Sequence, residues 1–276
     1  MNQPNGAHFF DRYDRFIGTM RAAGGPGAGA AELARMRHRY DAIVANNRDL
    51  FRGAKVLDIK SANGFWSLAA LDAGAARVVG LEAARKPFEA AKQTLAELPF
   101  NPSSYEFVNT EIPPGLRALE AGAFDLVLCH GFLEQSDPRF LFQQLSRLHP
   151  KHVILDTRVV QGKGPIIRLM PRNPDAPKPK PADRYNSILS LPNHELIAFF
   201  CEFFQFRWRL VDWHTLGIVD WTGVNDYQRD RHSTYVLENI ATNPAREGAP
   251  ANPARRRQKP GARAGMGAGA AAAQAR

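Results

Sequence analysis

Three carboxylates in the first half of this 276-residue chain stand at or just beyond the ends of short apolar runs. Asp58 follows Val56 and Leu57, Glu82 closes the run Val78 to Leu81, and Glu111 lies just past Tyr105 to Asn109. A carboxylate accepts hydrogen bonds from amines, amides and hydroxyls alike. Two of them at neighbouring strand ends suit a ligand that carries an amino group on one side and a ribose diol on the other. Between Asp58 and Glu82 the passage Lys60-Ser61-Ala62-Asn63-Gly64 is small-residue-rich, so a ligand there meets backbone with little side chain in the way. The fourth apolar run ends on His130, a residue type able to take a proton from an attacking hydroxyl. A hydrogen-bonded wall residue is the favoured reading of it. Asp156 and His214 are further candidates for acid–base work.

The elements that must position these groups follow from the pattern. Val56 to Ile59 breaks into the small-residue loop, a helical segment runs from Phe65 to Ala73 and stops at Gly74, and a second apolar run ends at Glu82. That is a strand, turn, helix, strand unit. Parallel strands joined by a helix require the right-handed crossover of an open sheet, whose ligands bind outside the carboxyl ends of the strands. The alternation continues with a helix from about Ala84, strands over Tyr105 to Asn109, Phe124 to Cys129 and Val153 to Leu155, and a helix opened by Asp137-Pro138. A doubly wound, mostly parallel α/β sheet is expected, closed by strands over Phe206 to Trp213 and Ser233 to Leu237. A dinucleotide fingerprint requires glycines where Lys60 and Ala62 stand, which disfavours a nicotinamide cofactor. S-adenosylmethionine fits the two acids.

The stretches VLDIKSANG and VVGLE resemble the first motif and the second strand of class I S-adenosylmethionine-dependent methyltransferases, and the similarity runs in order through YEFVNTEI, FDLVLCHGFLEQ and HVILDTRVV. It covers roughly Leu50 to Asp156, with a weaker echo to about Glu238. The resemblance implies a Rossmann-like sheet of seven strands with an antiparallel edge strand, S-adenosylmethionine as cofactor, and direct methyl transfer. It also implies cofactor contacts from Asp58, Lys60, Ser61, Gly64, Glu82, Glu111 and His130, with Glu82 on the ribose and Glu111 on the adenine amino group. The loop of this family is usually D-x-G-x-G-x-G, and Lys60 and Ala62 replace two of its glycines. Glu134 and Gln135 stand where relatives often carry a Tyr-His pair, so no general base is carried over from that pair.

Composition bounds the remaining choices. Forty-four per cent hydrophobic and 23% charged residues describe a globular protein with one sizeable core. Cys129 and Cys201 sit in apolar stretches without metal-binding spacing, so buried thiols and no metal site are expected. Seven Lys or Arg and one Glu lie in residues 241–276, so that tail holds +6 of the formal +9 and leaves +3 for the rest. A mildly basic body does not favour nucleic acid, no apolar stretch reaches the ~20 residues of a membrane helix, and no signal peptide is evident, which gives a cytoplasmic expectation. Residues 1–30 read as a flexible segment, 31–240 as the methyltransferase domain opened by an amphipathic helix from Glu32, and 241–276 as a disordered basic tail. Within the domain, 158–184 is an irregular, Pro-rich loop with seven basic and two acidic residues. It is expected to act as a lid, with Arg158, Lys163, Arg168 and Arg172 contacting an anionic substrate. The reading is methyl transfer to a small molecule, anionic or sugar-like. The alternatives are a non-catalytic module of the same fold and a tRNA-modifying methyltransferase.

Overall fold

The computed structural model describes residues 8–12, 25–172 and 188–242. The remainder of the expected amino-terminal segment, residues 173–187 of the basic loop and nearly all of the expected tail lie outside these residues.

Seven strands form one sheet in the order β3-β2-β1-β4-β5-β9-β8. They are β1 (Lys55–Ile59), β2 (Arg77–Glu82), β3 (Tyr105–Asn109), β4 (Leu126–His130), β5 (His152–Arg158), β8 (Phe206–Leu210) and β9 (His232–Asn239). The first five are mutually parallel, and β9 runs antiparallel to both β5 and β8, one place in from the edge. The helices are α1 (Gly25–Ile43), α2 (Phe65–Asp72), α3 (Arg85–Ala96), α4 (Ile112–Ala118), α5 (Pro138–Leu148), α6 (His194–Phe203) and the single turn α7 (Asn225–Gln228).

Burial on both faces explains why the central strands read as continuous apolar runs. Val56, Val78, Leu126, Leu128, Ile154 and Val236 pack under α1, α2 and α3 on one face. Leu57, Val79, Val127, Cys129, Val153, Leu155 and Leu237 pack under α4, α5 and α6 on the other. Because side chains alternate along a strand, the first face also receives Asp58, Glu82, His130, Asp156 and Thr234. All five sit at the edge where the parallel strands end and β9 begins. None of the described helices is long and apolar enough to cross a membrane.

Three features differ from the sequence expectation. Helix α1 begins at Gly25, inside the Gly/Ala stretch read as linker. Phe9 and Phe10, in the same segment, are buried: Phe9 stacks on Tyr40 with ring centroids 4.7 Å apart, and Phe10 meets Trp66 edge-on at 5.9 Å. Two adjacent aromatics supplied the apolar surface that the surrounding composition concealed. The basic loop is partly regular: β6 (Ile167–Pro171) and β7 (Ile188–Pro192) pair antiparallel as a small separate sheet. Their Pro and Arg content hid them, since proline is tolerated at such unpaired edges.

Helix α1 is fixed by a close approach. Gly223 has φ +80°, its carbonyl accepts from Arg35 Nη1 at 2.7 Å, and a Cβ there would lie 2.3 Å from the Ala31 carbonyl oxygen. Gly122 has a similar φ of +72° with nothing nearby. Gly223→Ala is therefore expected to cost at least ~2 kcal/mol, strain and overpacking together. Gly122→Ala is expected to cost ~1 kcal/mol, the left-handed penalty alone. Equal losses in denaturant unfolding of the two variants would show that α1 does not press on Gly223.

Candidate active site at the carboxyl edge of the sheet

The loop after β1 turns on left-handed residues at alternate positions: Lys60 at φ +61°, Ala62 at +48° and Gly64 at +78°. Two of the three are not glycine, so the chain bears strain there of ~1–2 kcal/mol per residue. Gly64 is the most crowded of the three, since a Cβ at its positive φ would sit 3.1 Å from both Ala91 Cβ and the Phe107 ring and would have to push them aside. The turn is tied down by Ser61 N–H donating to the Leu81 carbonyl at 2.9 Å. The Ala62 and Ala84 N–H groups donate to the two carboxylate oxygens of Glu82 at 2.9 and 2.8 Å. A carboxylate has about four lone-pair sites, so Glu82 can still accept two more hydrogen bonds.

Asp58 is buried and accepts from Ser67 Oγ at 2.7 Å. Burial pushes its carboxyl up to about 7, against the lowering effect of the Ser67 hydrogen bonds. The Ser61 hydroxyl is buried against Gly80 without a hydrogen-bond partner, leaving an unmet polar group in the loop itself. Lys60 is half-buried, with its pKa lowered by burial and then by nearby Arg172. Glu111 is exposed at the amino end of α4, and its side chain makes no capping hydrogen bond. The Thr110 N–H beside it donates to the Glu82 carbonyl at 3.1 Å, which joins the ends of β2 and β3.

One strand from β1, His130 pairs in register with Asp156 of β5. Its ring stands edge-on to Trp66 with centroids 4.7 Å apart, and neither ring nitrogen has a hydrogen-bond partner or contact with solvent. Burial first, then the Arg39 charge, pulls its pKa down to about 3, so the imidazole is neutral at physiological pH and a weak base.

Asp156 anchors a polar cluster that sequence reasoning had not assembled. It takes hydrogen bonds from Arg39 at 2.6 Å, Tyr227 at 2.8 Å and Thr234 at 2.6 Å, and His232 Nε2 lies 3.3 Å away. Asp226, held by both arms of Arg35 at 2.8 and 2.9 Å, stands 3.3 Å from the other His232 nitrogen. Neither His232 contact is aligned as a hydrogen bond. The two carboxylates nevertheless raise the His232 pKa against the opposing effect of burial, and the surrounding cations hold Asp156 well below the ordinary carboxylate range. Arg35 and Arg39 are four residues apart on α1, and that i, i+4 spacing is the one signal in the sequence that could have found them.

Two of the basic residues proposed for substrate meet at one turn and are already engaged there. Arg158 Nε, at the end of β5, donates to buried Glu134 at 2.5 Å, and Arg172, just past β6, donates to Gln135 at 2.7 Å, so both are held by the turn Leu133–Gln135. Lys163 and Arg168 are exposed. His214 is exposed in the turn Trp213–Thr215, against Trp221. Both cysteines are free and buried, and burial pushes the Cys129 thiol up to about 12.

No protein-family model matches the sequence, and no curated protein does. Solved structures do match. Magnesium protoporphyrin IX methyltransferase from Synechocystis PCC 6803, with bound SAH, aligns at a TM-score of 0.55 and 15% identity over 83% of this chain and 94% of that one. The 1,6-didemethyltoxoflavin-N1-methyltransferase of Burkholderia thailandensis, with 1,6-didemethyltoxoflavin and S-adenosylhomocysteine bound, aligns at 0.52 and 16% over 87% and 93%. An S-adenosylmethionine-dependent methyltransferase from Mesorhizobium loti aligns at 0.52 and 14% over 73% and 98%. At these identities the likeness concerns the fold. The chain has the fold of the class I S-adenosylmethionine-dependent methyltransferases.

Proposed function

We propose that the protein binds S-adenosylmethionine at the β1 loop and transfers its methyl group directly to a small-molecule acceptor. The observation that carries this is the backbone of residues 60–64. Lys60 and Ala62 keep the left-handed conformation that glycine normally supplies, at a cost in stability, and strain of this kind persists where a site needs the shape. The buried, unpartnered Ser61 hydroxyl and the spare acceptor capacity of Glu82 fit a polar ligand in the same place.

In this reading Asp58 and the loop face the amino acid end of the cofactor, Glu82 takes the ribose hydroxyls, and exposed Glu111 takes the adenine amino group. Lys60, with Arg172 close by, gives the site a cationic edge suited to the cofactor carboxylate. The bound cofactor supplies a sulfonium methyl, which bonds to a lone pair of the acceptor as the sulfur–carbon bond breaks and sulfur keeps the electron pair. The work of the chain is to hold the acceptor in line and exclude water, a positioning effect that reaches ~7–11 kcal/mol in well-oriented systems. Isothermal titration with S-adenosylmethionine and S-adenosylhomocysteine tests the proposal. Binding of both is expected, and absence of heat with either at high protein concentration would leave the fold as a non-catalytic module.

Proton linkage at Asp58 gives a pH signature. A cationic amino group is held best by the ionised carboxylate, which at pH 6 is about a tenth of the population when the pKa is about 7. Cofactor affinity is therefore expected to rise roughly tenfold from pH 6 to 8 and to level off above that. The unliganded protein should behave oppositely. Its folded carboxyl keeps its proton to a higher pH than the ordinary 3.8, so this contribution to stability is complete below about 4 and is lost as pH rises to about 7. An affinity flat across that range would remove Asp58 from the cofactor site.

The loop geometry makes its own prediction. Ala62→Gly should be neutral or stabilising by up to ~1 kcal/mol, relief of the left-handed strain outweighing the added chain entropy, while retaining cofactor affinity. Ala62→Val should destabilise by ~1–2 kcal/mol and weaken the cofactor, since a β-branched residue is a genuine outlier at positive φ. Thermal unfolding of the two variants checks both signs.

A further inference from the structure

Residues 211–231 connect β8 to β9 at the carboxyl edge of the parallel strands, since β9 starts at His232, directly opposite Arg158 at the end of β5. Within this connection Trp213 stacks on Tyr227 with ring centroids 3.7 Å apart, and Tyr227 lies 4.4 Å from the His232 ring. His232 is buried and takes no part in the proposed methyl transfer. Its Nε2 lies 3.3 Å from Asp156 Oδ2, the oxygen that also takes Arg39 and Tyr227. Its Nδ1 lies 3.3 Å from Asp226 Oδ2, the oxygen that takes Arg35 Nη2.

An ionised carboxylate only accepts hydrogen bonds, while a neutral imidazole has one N–H and one bare lone pair. Whichever tautomer it took, a neutral His232 would turn that lone pair toward one of the two carboxylates. The imidazolium instead presents an N–H on each side and places a positive charge between two negative ones. From this geometry we infer that His232 is a proton-operated tie: protonated, it holds the connection 211–231 to the sheet through Asp226, and on losing its proton it releases that hold.

The groups that face the ring leave the titration to His232. Among the described residues these are Arg35 and Arg39 from α1, His130 from β4, Asp156 and Arg158 from β5, and Asp226 and Tyr227 from α7. Guanidinium groups stay charged. Against the opposing effect of burial, nearby cations hold Asp156 and Asp226 well below the ordinary carboxylate range. Burial pushes the Tyr227 phenol well above its ordinary value and, with the Arg39 charge, pulls His130 down to about 3. For His232, burial opposes the charge, yet Asp156 and then Asp226 outweigh it and raise the pKa above the ordinary 6.5. The sign follows. Docking of α7 brings Asp226 to the ring, so the docked segment binds the proton more tightly than the undocked one and is held best in acid. Against the unfolded chain, the same proton contributes stability that is complete below about 6.5 and is lost as pH rises through the raised value. Arg35 stays on Asp226 throughout, so the segment loosens without detaching.

Nuclear magnetic resonance of labelled histidine reads the proton directly. The His232 imidazole is expected to titrate with a midpoint above 6.5, and Asp226→Asn is expected to move that midpoint down. Hydrogen exchange, corrected for the pH dependence of the chemistry itself, reads the tie. The amides of residues 227–231 are all hydrogen-bonded within the segment, and in the parent protein they should lose about threefold or more of their protection between pH 6 and 9. In His232→Gln they should lose none. Asp58 lies outside the segment, so its own titration reaches these amides only through unfolding of the whole chain. A midpoint at or below 6.5, protection that does not fall in the parent, or the same fall in His232→Gln overturns the inference. If His232→Gln does not fold, the parent midpoint and its shift in Asp226→Asn decide, and a midpoint that Asp226→Asn leaves in place overturns it.

Discussion

Asp156 is a carboxylate taken wholly out of water, and the arrangement of the surrounding elements is the set of conditions under which that is tolerable. An isolated ion in such a place costs several kcal/mol. Here the cost is offset by a guanidinium, a phenol and a threonine hydroxyl at hydrogen-bond distance, with an imidazole beside them. Those partners come from α1, α7 and β9, so helix, turn and antiparallel strand are each held by the same charge. Losing any one partner would leave part of the charge uncompensated, and for that reason the cluster specifies the relative placement of these elements more than it adds net stability.

The strand pleat explains why the cluster and the loop after β1 face the same way. Asp58, Glu82, His130 and Asp156 share a sheet face with the core beneath α1, α2 and α3, and the parallel register aligns them at one edge. Two chemically different regions result. Around β1 and β2 are acids with accepting capacity and strained backbone, while around β4 and β5 are donors in surplus.

The sheet was legible in the sequence because buried parallel strands write themselves as runs such as KVLDI and DLVLCH, and their terminal acids mark the carboxyl edge. Asp58, Glu82 and the loop between them were legible for the same reason, although nothing in Lys60 or Ala62 announces a positive φ. Arg35 and Arg39 were hidden inside RMRHRY, which reads as the solvated side of an amphipathic helix. Asp226 and Tyr227 sit in an irregular stretch without periodicity, and His232 opens a strand that looked like simple closure. Their role depends on tertiary proximity between chain segments that share no local pattern. In the basic loop the charge suggested anion binding, and its sequence did not show that Arg158 and Arg172 are engaged by Glu134 and Gln135.

The ion pair between Arg35 and Asp226 joins residues 191 positions apart. During synthesis at ~5–20 residues per second, α1 therefore leaves the ribosome roughly ten to forty seconds before the segment that anchors it exists. Over that interval Met36, Tyr40 and Ile43 have no complete core to enter, since the β9 residues that share it have yet to be made. Helix α1 is thus the first α-helix among the described residues to be made and among the last to be secured. Nascent chains shorter than about 230 residues would display an apolar, arginine-rich helix of the kind that chaperones engage.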